Sequence, residues 1–476
     1  MIKTIVLFHR DLRLHDNPAL TAAAQRGIVI PVFIWSPNEG AFGDEGSASS
    51  WWLSQSLHAL RQRLDGHGLK LIVRMGQRST VIRTLLHETD ATAVYMNGCY
   101  EPDCRNTDDN WVETFIKKGI EVKQFSASLL ISATKLLNVQ GKPYKVYTAF
   151  LKKFHTSSVP RPLPVPKELH GLNEDIHTET IDNLPLLSSN TWHLKLHNHW
   201  EPGETVAIKR WNEFLKTSLI EYKDGRDFPG DEAVSKLSPH IAFGEISVRG
   251  IWHAIERNRV FSENPKLHSS MDAFQKQLVW RDFSYHQLFH FPSIRTKPIR
   301  QPFEHFPWHT DAASLTNWMH GQTGYPIVDA GMRQLWETGW VHNRVRMIVA
   351  SFLTKHLLIA WQEGERWFSN TLVDFDMANN AMGWQWSAGS GNDAAPYFRI
   401  FNPILQGKKF DKNGEYVRKW IPELRLLPSA YIHEPWTAPK HILDAAQVQL
   451  GENYPFPLVD HSVARQRALE AYQQIK

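Results

Sequence analysis

Short apolar runs alternate with amphipathic segments over the first part of the chain, and this alternation limits the possible folds strongly. The runs occupy residues 3–8, 28–35, 69–75, 93–97 and 121–125. Asn17 and Pro18 supply a cap and a first-turn proline for the helical segment after the first run. Strands that alternate with helices indicate parallel strands joined by crossover helices. The pattern predicts a doubly wound parallel α/β sheet over residues 1–130.

The rest of the chain divides into two regions by composition. Residues 131–203 are irregular and rich in Pro, Ser, Leu and His, which is typical of a long connection between domains. Residues 204–476 have helical periodicity almost throughout, so we expect an all-α second domain. A chain of 476 residues is long for one core, and two domains are the usual outcome.

The composition is that of an ordinary globular protein without a membrane segment. No apolar run approaches the roughly 20 residues of a membrane span, and the charged N-terminus does not resemble a signal peptide. Cys99 and Cys104 are too few for a disulfide scaffold or a Cys-ligated structural zinc site. We therefore expect a cytoplasmic protein without a metal. The excess positive charge lies beyond residue 130, which suits a polyanionic partner.

Polar side chains follow several of the predicted strands. No glycine motif for a dinucleotide or a P-loop follows the first strand. Ligands of doubly wound sheets bind near the carboxyl ends of the strands. The candidates at that edge are Arg10, Trp35, Asn97, Tyr100, Glu101 and Cys104. The alternative is that they are ordinary loop residues without a ligand.

One helical segment in the second domain has an unusual face. Asp376, Asn380 and Trp384 are spaced four residues apart and therefore share one side of a helix. An unpartnered buried polar group costs a few kcal/mol, so this side should contact something that forms hydrogen bonds. Trp386 lies about 200° around the helix from Trp384 and faces a different environment. A buried structural helix rich in Trp is the alternative interpretation.

Two further segments combine charge with helical spacing. Ser235 and Ser238 stand at a helix start, where hydroxyl and backbone N–H groups bind phosphates or simply cap the helix. Residues 340–347 place Asn343 four residues before Met347, with basic residues on the same helix. Those basic groups require carboxylate partners and are equally consistent with structural ion pairs.

Long motifs in the same order resemble the cryptochrome/photolyase family. They are LSPHIAFGEIS at 237–247, TGYPIVDAGMRQLWETGWVHNRVRM at 323–347, NNAMGWQW at 379–386 and APYFRIFNP at 395–403. The resemblance covers essentially the whole chain. It implies an α/β antenna-binding domain followed by a helical catalytic domain that holds FAD in a U-shaped conformation.

The resemblance also assigns the flavin-binding residues. The positions that match the phosphate and ribityl contacts are Tyr222, Val234, Ser235, Lys236, Leu237 and Ser238. The isoalloxazine segment is matched by Asp374, Phe375 and Asp376, with Arg346 as the partner of Asp374. Asn380 matches the residue that faces flavin N5, where plant cryptochromes usually carry Asp. An amide supplies no titrating proton, which favours a fully reduced, anionic flavin.

Three indoles and a pocket complete the implied site. Trp384, Trp361 and Trp308 match the chain that carries electrons between the surface and the flavin. Trp280, Met347 and Trp386 match the pocket that holds a flipped cyclobutane pyrimidine dimer, whereas 6-4 photolyases need His near the Met347 position. The remaining lesion-binding and phosphate-binding positions are Gln277, Arg281, Asn343, Arg344 and Arg399, with Arg226, Lys408 and Lys409 as further candidates.

The sequence departs from the family pattern at three positions. Gln277 stands where most dimer photolyases have Glu, and Val234 replaces a phosphate-facing Thr. Cys104 replaces the Glu that grips folate in the enterobacterial site. Residues 47–60, with their Trp-Trp pair, resemble the class III branch, which binds methenyltetrahydrofolate near that pair. We therefore expect methenyltetrahydrofolate as the antenna, with deazaflavin as the alternative.

The function implied by the resemblance is light-driven repair of cyclobutane pyrimidine dimers, catalysed by a deoxyribodipyrimidine photo-lyase. We expect a monomer that binds UV-damaged DNA, single- or double-stranded. The alternatives are a blue-light photoreceptor of the cryptochrome type and a 6-4 photolyase. Photoreceptors usually extend past the helical domain, whereas this sequence ends shortly after Asp460, which favours repair.

Overall fold

A five-stranded parallel sheet forms the N-terminal part of the protein. The computed structural model describes residues 2–37, 39, 47–187 and 191–476, so residues 188–190 of the predicted connection lie outside the described part. The strands, in the spatial order β3-β2-β1-β4-β5, are β1 Ile2–Phe8, β2 Gly27–Trp35, β3 Ile72–Met75, β4 Ala93–Asn97 and β5 Glu121–Phe125. All strand pairs are parallel, with Ile2 opposite Gly27 where β1 meets β2.

Four helices connect the strands. They are α1 Pro18–Ala24, α2 Ala48–Asp65, α3 Arg78–Thr89 and α4 Pro102–Lys117. The side chain of Asn17 accepts a hydrogen bond from the backbone N–H of Leu20 at 3.1 Å, as the predicted cap requires. Helices α3 and α4 cover one face of the sheet, because Ile82 and Trp111 pack into the same buried cluster as Ile5 of β1. The predicted doubly wound parallel sheet is confirmed.

Helices dominate the remaining chain, as predicted. They are α5 Tyr147–Phe154, α6 Glu204–Thr217, α7 Tyr222–Gly225, α8 Ser238–Ala242, α9 Val248–Val260, α10 Pro265–His290, α11 Ala312–Met319, α12 Pro326–Thr338, α13 Asn343–Ser351, α14 Trp361–Thr371, α15 Met377–Ala388, α16 Pro403–Phe410, α17 Glu415–Trp420, α18 Lys440–Ala445 and α19 His461–Gln473. A π-helical turn at Phe352–His356 follows α13. Among the described residues, no helix combines the length and the apolar character that crossing a bilayer requires.

The chain forms two compact units. The first comprises residues 1–220, 235–292 and 373–378, and the second comprises residues 221–234, 293–372 and 379–476. The predicted division at residues 130 and 203, which rests on the strand–helix pattern and on composition, stays a prediction. Within the predicted connection, α5 was not anticipated, and its Phe150 and Phe154 are buried in the first unit.

Close helix packing in the second unit requires a glycine at position 331. Helices α12 and α13 approach closely at Gly331, where an added Cβ would lie 2.3 Å from Cγ1 of Val345. The buried carboxylate of Asp329 accepts hydrogen bonds from the backbone of Thr323 and from the hydroxyl of Tyr454, at 2.7 and 2.8 Å. These contacts hold α12 against the C-terminal segment of the same unit.

Candidate functional site

The carboxyl edge of the sheet brings several predicted residues together and closes over them. The amide of Asn97 donates to Asp11 at 2.6 Å and to Asn17 at 2.8 Å. Arg10 donates to the carbonyl oxygen of Phe375 at 2.7 Å. A cavity of about 20 Å³ remains there, lined by residues that include Arg10, Asn97, Tyr100 and Glu101. Such a cavity has room for about one water molecule and not for a deazaflavin ring.

A larger groove lies between α3 and α4. Its volume is about 320 Å³, and it is lined by Gln77 and Arg83 on one side and by Asn110 and Trp111 on the other. The lining combines a cation, Arg83, and an anion, Glu39, with polar and aromatic side chains, and unlike the closed edge of the sheet it has room for a planar ring.

The Trp-Trp pair of α2 is part of the core. Trp51 and Trp52 are completely buried. The indole N–H of Trp52 donates to Glu245 at 3.1 Å, and that of Trp51 lies 3.2 Å from a ring nitrogen of His197. Both indoles are therefore packed and hydrogen-bonded inside the first unit.

In the first unit, the segment 374–376, which is predicted to bind the flavin, is anchored through buried polar contacts. The hydroxyl of Tyr285 donates to Asp376 at 2.7 Å, and Nε of Arg281 lies 3.9 Å from the same carboxylate. Burial in this cluster raises the pKa of the Tyr285 phenol well above its usual value. Asp374 and Asp376 are both buried. Buried carboxylates need polar surroundings, and these two supply acceptors for a polar heterocycle.

The segment 234–238 differs from a simple capped helix start. Helix α8 begins without a side-chain cap, and Ser235 instead accepts a hydrogen bond from the backbone of Leu237 at 3.4 Å. Lys236 has a φ of 51°, which is uncommon for a residue with a side chain. Such conformations concentrate at ligand-binding sites, which fits the phosphate interpretation better than plain capping.

In the second unit, Asn380 is held by a residue that the sequence did not single out. Its amide nitrogen donates to the backbone oxygen and to Oε1 of Glu365, both at 3.1 Å. Nε of Arg295 lies 3.7 Å from Oε1 of Glu365. These contacts orient the neutral amide of Asn380. The sequence signal that could have identified Glu365 is a carboxylate on the face of α14 that is otherwise buried.

The three predicted indoles all belong to the second unit. Trp384 and Trp361 are 2% and 1% exposed, whereas Trp308 is half-buried. Gly364 lets the ring of Trp384 lie against α14, since an added Cβ would come within 2.1 Å of the ring. Phe368 packs edge-on against Trp384 with the ring centroids 5.0 Å apart. Two buried indoles and one half-buried indole are compatible with a path from the interior to the surface.

In the first unit, one face of Trp280 is already covered. Tyr147 of α5 stacks on it with the ring centroids 3.5 Å apart and the planes 8° from parallel. Gln277 lies three residues earlier on α10 and is half-buried. Arg281 donates to the backbone oxygen of Ser128 at 2.7 Å and sits over the ring of Tyr285, so its guanidinium is engaged inside this unit. The stacking partner Tyr147 was missed because it lies in the segment predicted to be irregular.

In the second unit, Trp386 is half-buried and lies beside the segment that follows it. Its carbonyl oxygen accepts a hydrogen bond from the backbone of Ala395 at 3.2 Å, so the predicted turn folds back on α15. The segment then presents Phe398, which is 65% exposed, and the exposed Arg399. Met347 on α13 is half-buried.

The predicted phosphate-binding residues differ in their engagement. Arg344 pairs with Asp227 at 2.8 Å and lies over the ring of Phe410. Lys408 pairs with Glu434. Asn343, Arg399 and Lys409 are exposed. Exposed cations are available for phosphate contacts. Arg344 would first have to break its ion pair with Asp227.

A buried lysine supports the backbone of the Arg399 segment and predicts a pH effect. Nζ of Lys355 donates to the carbonyl oxygen of Arg399 at 3.0 Å. Burial, together with the charge of Arg399, lowers the pKa of Lys355 from 10.5 to about 7. Between these two pH values the unfolded chain holds a proton that the folded chain lacks. The free energy of unfolding therefore falls as the pH falls from 10.5 to about 7, and this contribution is level below that.

Replacing Lys355 by Met should remove this contribution. The variant should be more stable than the wild type, and the difference should be larger at pH 6 than at pH 10. Between about pH 7 and pH 10.5, the difference in the free energy of unfolding should change by about 1.4 kcal/mol per pH unit. Thermal unfolding of both proteins at pH 6, 8 and 10 measures the margin. A margin that does not change with pH would contradict the buried-charge interpretation.

Comparison with known proteins decides what kind of protein carries these arrangements. Residues 4–167 match the family model described as DNA photolyase, and residues 274–474 match the FAD binding domain of DNA photolyase. Over 99% of its length the chain is 47% identical to the deoxyribodipyrimidine photo-lyase of Agrobacterium fabrum, of which it covers 98%. The chain belongs to the cryptochrome/photolyase family.

Two further relatives place it within the family. The structure of a bacterial class III photolyase from Agrobacterium tumefaciens superposes with a TM-score of 0.95 and 46% identity, and the match covers 100% of this chain and 98% of that one. Cryptochrome-2 of Arabidopsis thaliana is 38% identical over 100% of this chain and 79% of its own length. The predicted family is confirmed, and the helical part carries a FAD-binding domain of the cryptochrome/photolyase type.

Proposed function

We propose that this member of the family splits cyclobutane pyrimidine dimers in UV-damaged DNA under light, as a deoxyribodipyrimidine photo-lyase. The observation that carries the proposal is the 47% identity, over essentially the full length of both chains, to a protein of that name. The side chains that the resemblance assigns to repair, among them Asn380, Met347 and Trp386, support the same conclusion.

FAD is the proposed cofactor, and the residues fit it chemically. The contacts that the resemblance assigns to it are Tyr222, Val234, Ser235, Lys236, Leu237, Ser238, Arg346, Asp374, Phe375, Asp376 and Asn380. Buried carboxylates and an oriented amide match the donors and acceptors of an isoalloxazine ring. When bound in its reduced form, the flavin supplies the electron that opens the cyclobutane ring and receives it back.

The protein supplies orientation and a path for electrons. Asn380, held by Glu365, presents an amide that does not titrate, so no proton is delivered from this position. Trp308, Trp361 and Trp384 pass electrons inward from the surface. Extruding the lesion costs little because a damaged pair is already weakened, and aromatic rings then hold it by stacking.

Tyr147 limits how the lesion binds against Trp280. The phenol ring occupies one face of the indole at 3.5 Å, so a pyrimidine stacks only on the opposite face. We assign Arg281 a positioning role, since its guanidinium joins the Ser128 backbone to Asp376. Exposed Arg399 and Lys409 serve as phosphate contacts, and Arg344 joins them if it exchanges Asp227 for a phosphate.

The antenna is methenyltetrahydrofolate in this proposal, and its place is the groove between α3 and α4. Arg83 and Asn110 offer polar contacts there, whereas the closed edge of the sheet has no room for a deazaflavin. Reconstitution with the folate should add its absorbance band, and Arg83→Ala should weaken that band while Lys123→Ala does not. We further propose a monomer in the cytoplasm, where Cys99 and Cys104 form no disulfide.

A comparison of two lesions tests the proposed function. Chemically reduced protein is illuminated with an oligonucleotide that carries a cyclobutane dimer and, separately, with one that carries a 6-4 lesion, each single- and double-stranded. We expect light-dependent restoration of intact thymines from the dimer alone, on both forms of DNA. Restoration from the 6-4 lesion would reassign the substrate.

The identity to Cryptochrome-2 makes a blue-light photoreceptor the second candidate. A photoreceptor would restore neither lesion, although it would still bind FAD and respond to light. Absence of repair by protein with full flavin content would therefore favour the photoreceptor over the photolyase.

A further inference from the structure

Three side chains meet in the first unit, and none of them is assigned to FAD or DNA. His9 directly follows β1, while Cys104 and Asp108 share one face of α4 at a spacing of four residues. All three are buried. One ligand atom of each, a ring nitrogen, the sulfur and a carboxylate oxygen, lies within 4.8 Å of the other two.

His9 is the unexplained member of this cluster. It is 6% exposed, and neither ring nitrogen has a hydrogen-bond partner among the described residues. Leaving a buried polar group without a partner is destabilising, so a ligand for these nitrogens is expected. Imidazole nitrogen is the commonest protein ligand for transition-metal ions, and His9 offers two such atoms at this position.

The distances within the cluster fit one shared ion. Nε2 of His9 lies 3.6 Å from Oδ2 of Asp108, and Sγ of Cys104 lies 3.8 Å from the same oxygen. These contacts are long for hydrogen bonds. Zinc binds nitrogen and oxygen at about 2.0–2.2 Å and sulfur at about 2.3 Å, so two ligands of a tetrahedral zinc stand roughly 3.4–3.7 Å apart.

The surroundings orient the carboxylate toward the same point. The guanidinium of Arg78 and the indole of Trp111 both donate to Oδ1 of Asp108, at 2.6 and 3.0 Å. This leaves Oδ2 facing His9 and Cys104, as outer hydrogen bonds do for metal-binding carboxylates. Arg78 also balances part of the negative charge of the two anionic ligands.

We propose that His9, Cys104 and Asp108 bind a divalent transition-metal ion, Zn²⁺, which ties the end of β1 to α4. The mixed nitrogen, sulfur and oxygen set selects zinc over calcium or magnesium. Cys99 is not a ligand in this proposal, because its thiol donates to Glu101 at 2.8 Å. The proposal replaces the expectation of a protein without a metal, which rested on counting cysteines alone.

Metal analysis combined with X-ray absorption at the zinc edge tests the site. Protein produced with zinc and dialysed against a weak chelator should retain one zinc per chain. The absorption spectrum should show a single sulfur neighbour at about 2.3 Å and nitrogen or oxygen neighbours at about 2.0–2.2 Å. A spectrum without a sulfur neighbour would overturn the assignment. Protein that retains no zinc after dialysis would overturn it as well.

Two matched cysteine variants locate the ligand. Cys104→Ser should lose zinc after dialysis, while Cys99→Ser, made five residues away, should retain it in full. Loss of zinc from both variants would contradict the proposed ligand set. FAD content, measured on the same samples, verifies that each variant is folded, and the wild-type spectrum decides the question if Cys104→Ser does not fold. The result is independent of DNA repair.

Discussion

Replacing Trp361 by phenylalanine is expected to abolish light-driven reduction of the bound flavin while leaving repair by chemically reduced protein unchanged. Trp361 and Trp384 are both buried and Trp308 is half-buried, and the resemblance places Trp361 in the middle of the path. A phenyl ring is harder to oxidise than an indole, so the middle of the path is lost. Repair itself needs only the reduced cofactor and the lesion pocket.

The chain offers a matched control for this experiment. Trp367 lies on the same helix, α14, and stacks on Trp336 with the ring centroids 5.8 Å apart. Trp367→Phe should keep photoreduction at the wild-type rate. Photoreduction is followed by the absorbance of the flavin under blue light with an external reductant, and repair by the restoration of thymines after chemical reduction. Loss of both activities in Trp361→Phe would contradict the electron-path role.

Replacing Trp386 by alanine is expected to weaken binding of dimer-containing DNA without releasing FAD. Stacking of a base on an aromatic side chain contributes about 1–3 kcal/mol, so the dissociation constant should rise roughly 5- to 150-fold. Trp386 is half-buried, and its backbone accepts a hydrogen bond from Ala395 that alanine also permits. The fold of the 395–399 segment should therefore survive the change.

Two controls separate stacking from a general loss of DNA binding. Trp386→Phe should keep most of the affinity because it keeps a ring. Arg399→Ala should weaken damaged and undamaged DNA alike and lower the salt dependence of binding. Titrations with both DNAs at two salt concentrations measure these effects. Equal affinity of Trp386→Ala and wild type for the dimer would remove Trp386 from the pocket.

Much of the architecture was predictable because it depends on local patterns. The strand–helix alternation before residue 126 reflects periods of two and 3.6 residues that each segment carries by itself. The cap at Asn17 needs only three neighbouring residues. The family motifs are contiguous stretches of sequence, so they extended the predictions to the flavin and lesion positions. Helix α5 was missed since proline-rich neighbours hid its eight residues.

What depends on distant residues was not predictable. Glu365 orients Asn380 from fifteen positions earlier, and Tyr147 covers Trp280 from another helix. The complete burial of Trp51 and Trp52 was likewise not predictable, because burial is a property of the whole unit, and the antenna expected near them stays a prediction.

The sequence by itself determined the fold class, the family and the chemical types available along the second half of the chain. Only the tertiary structure decided which side chains are already engaged, as Arg281 and Arg344 are, and which remain exposed, as Arg399 does. It alone brought His9 to Cys104 and Asp108. The physical reason is that periodicity and capping act within a few residues, whereas partners for buried charges are chosen by packing between segments far apart in the chain.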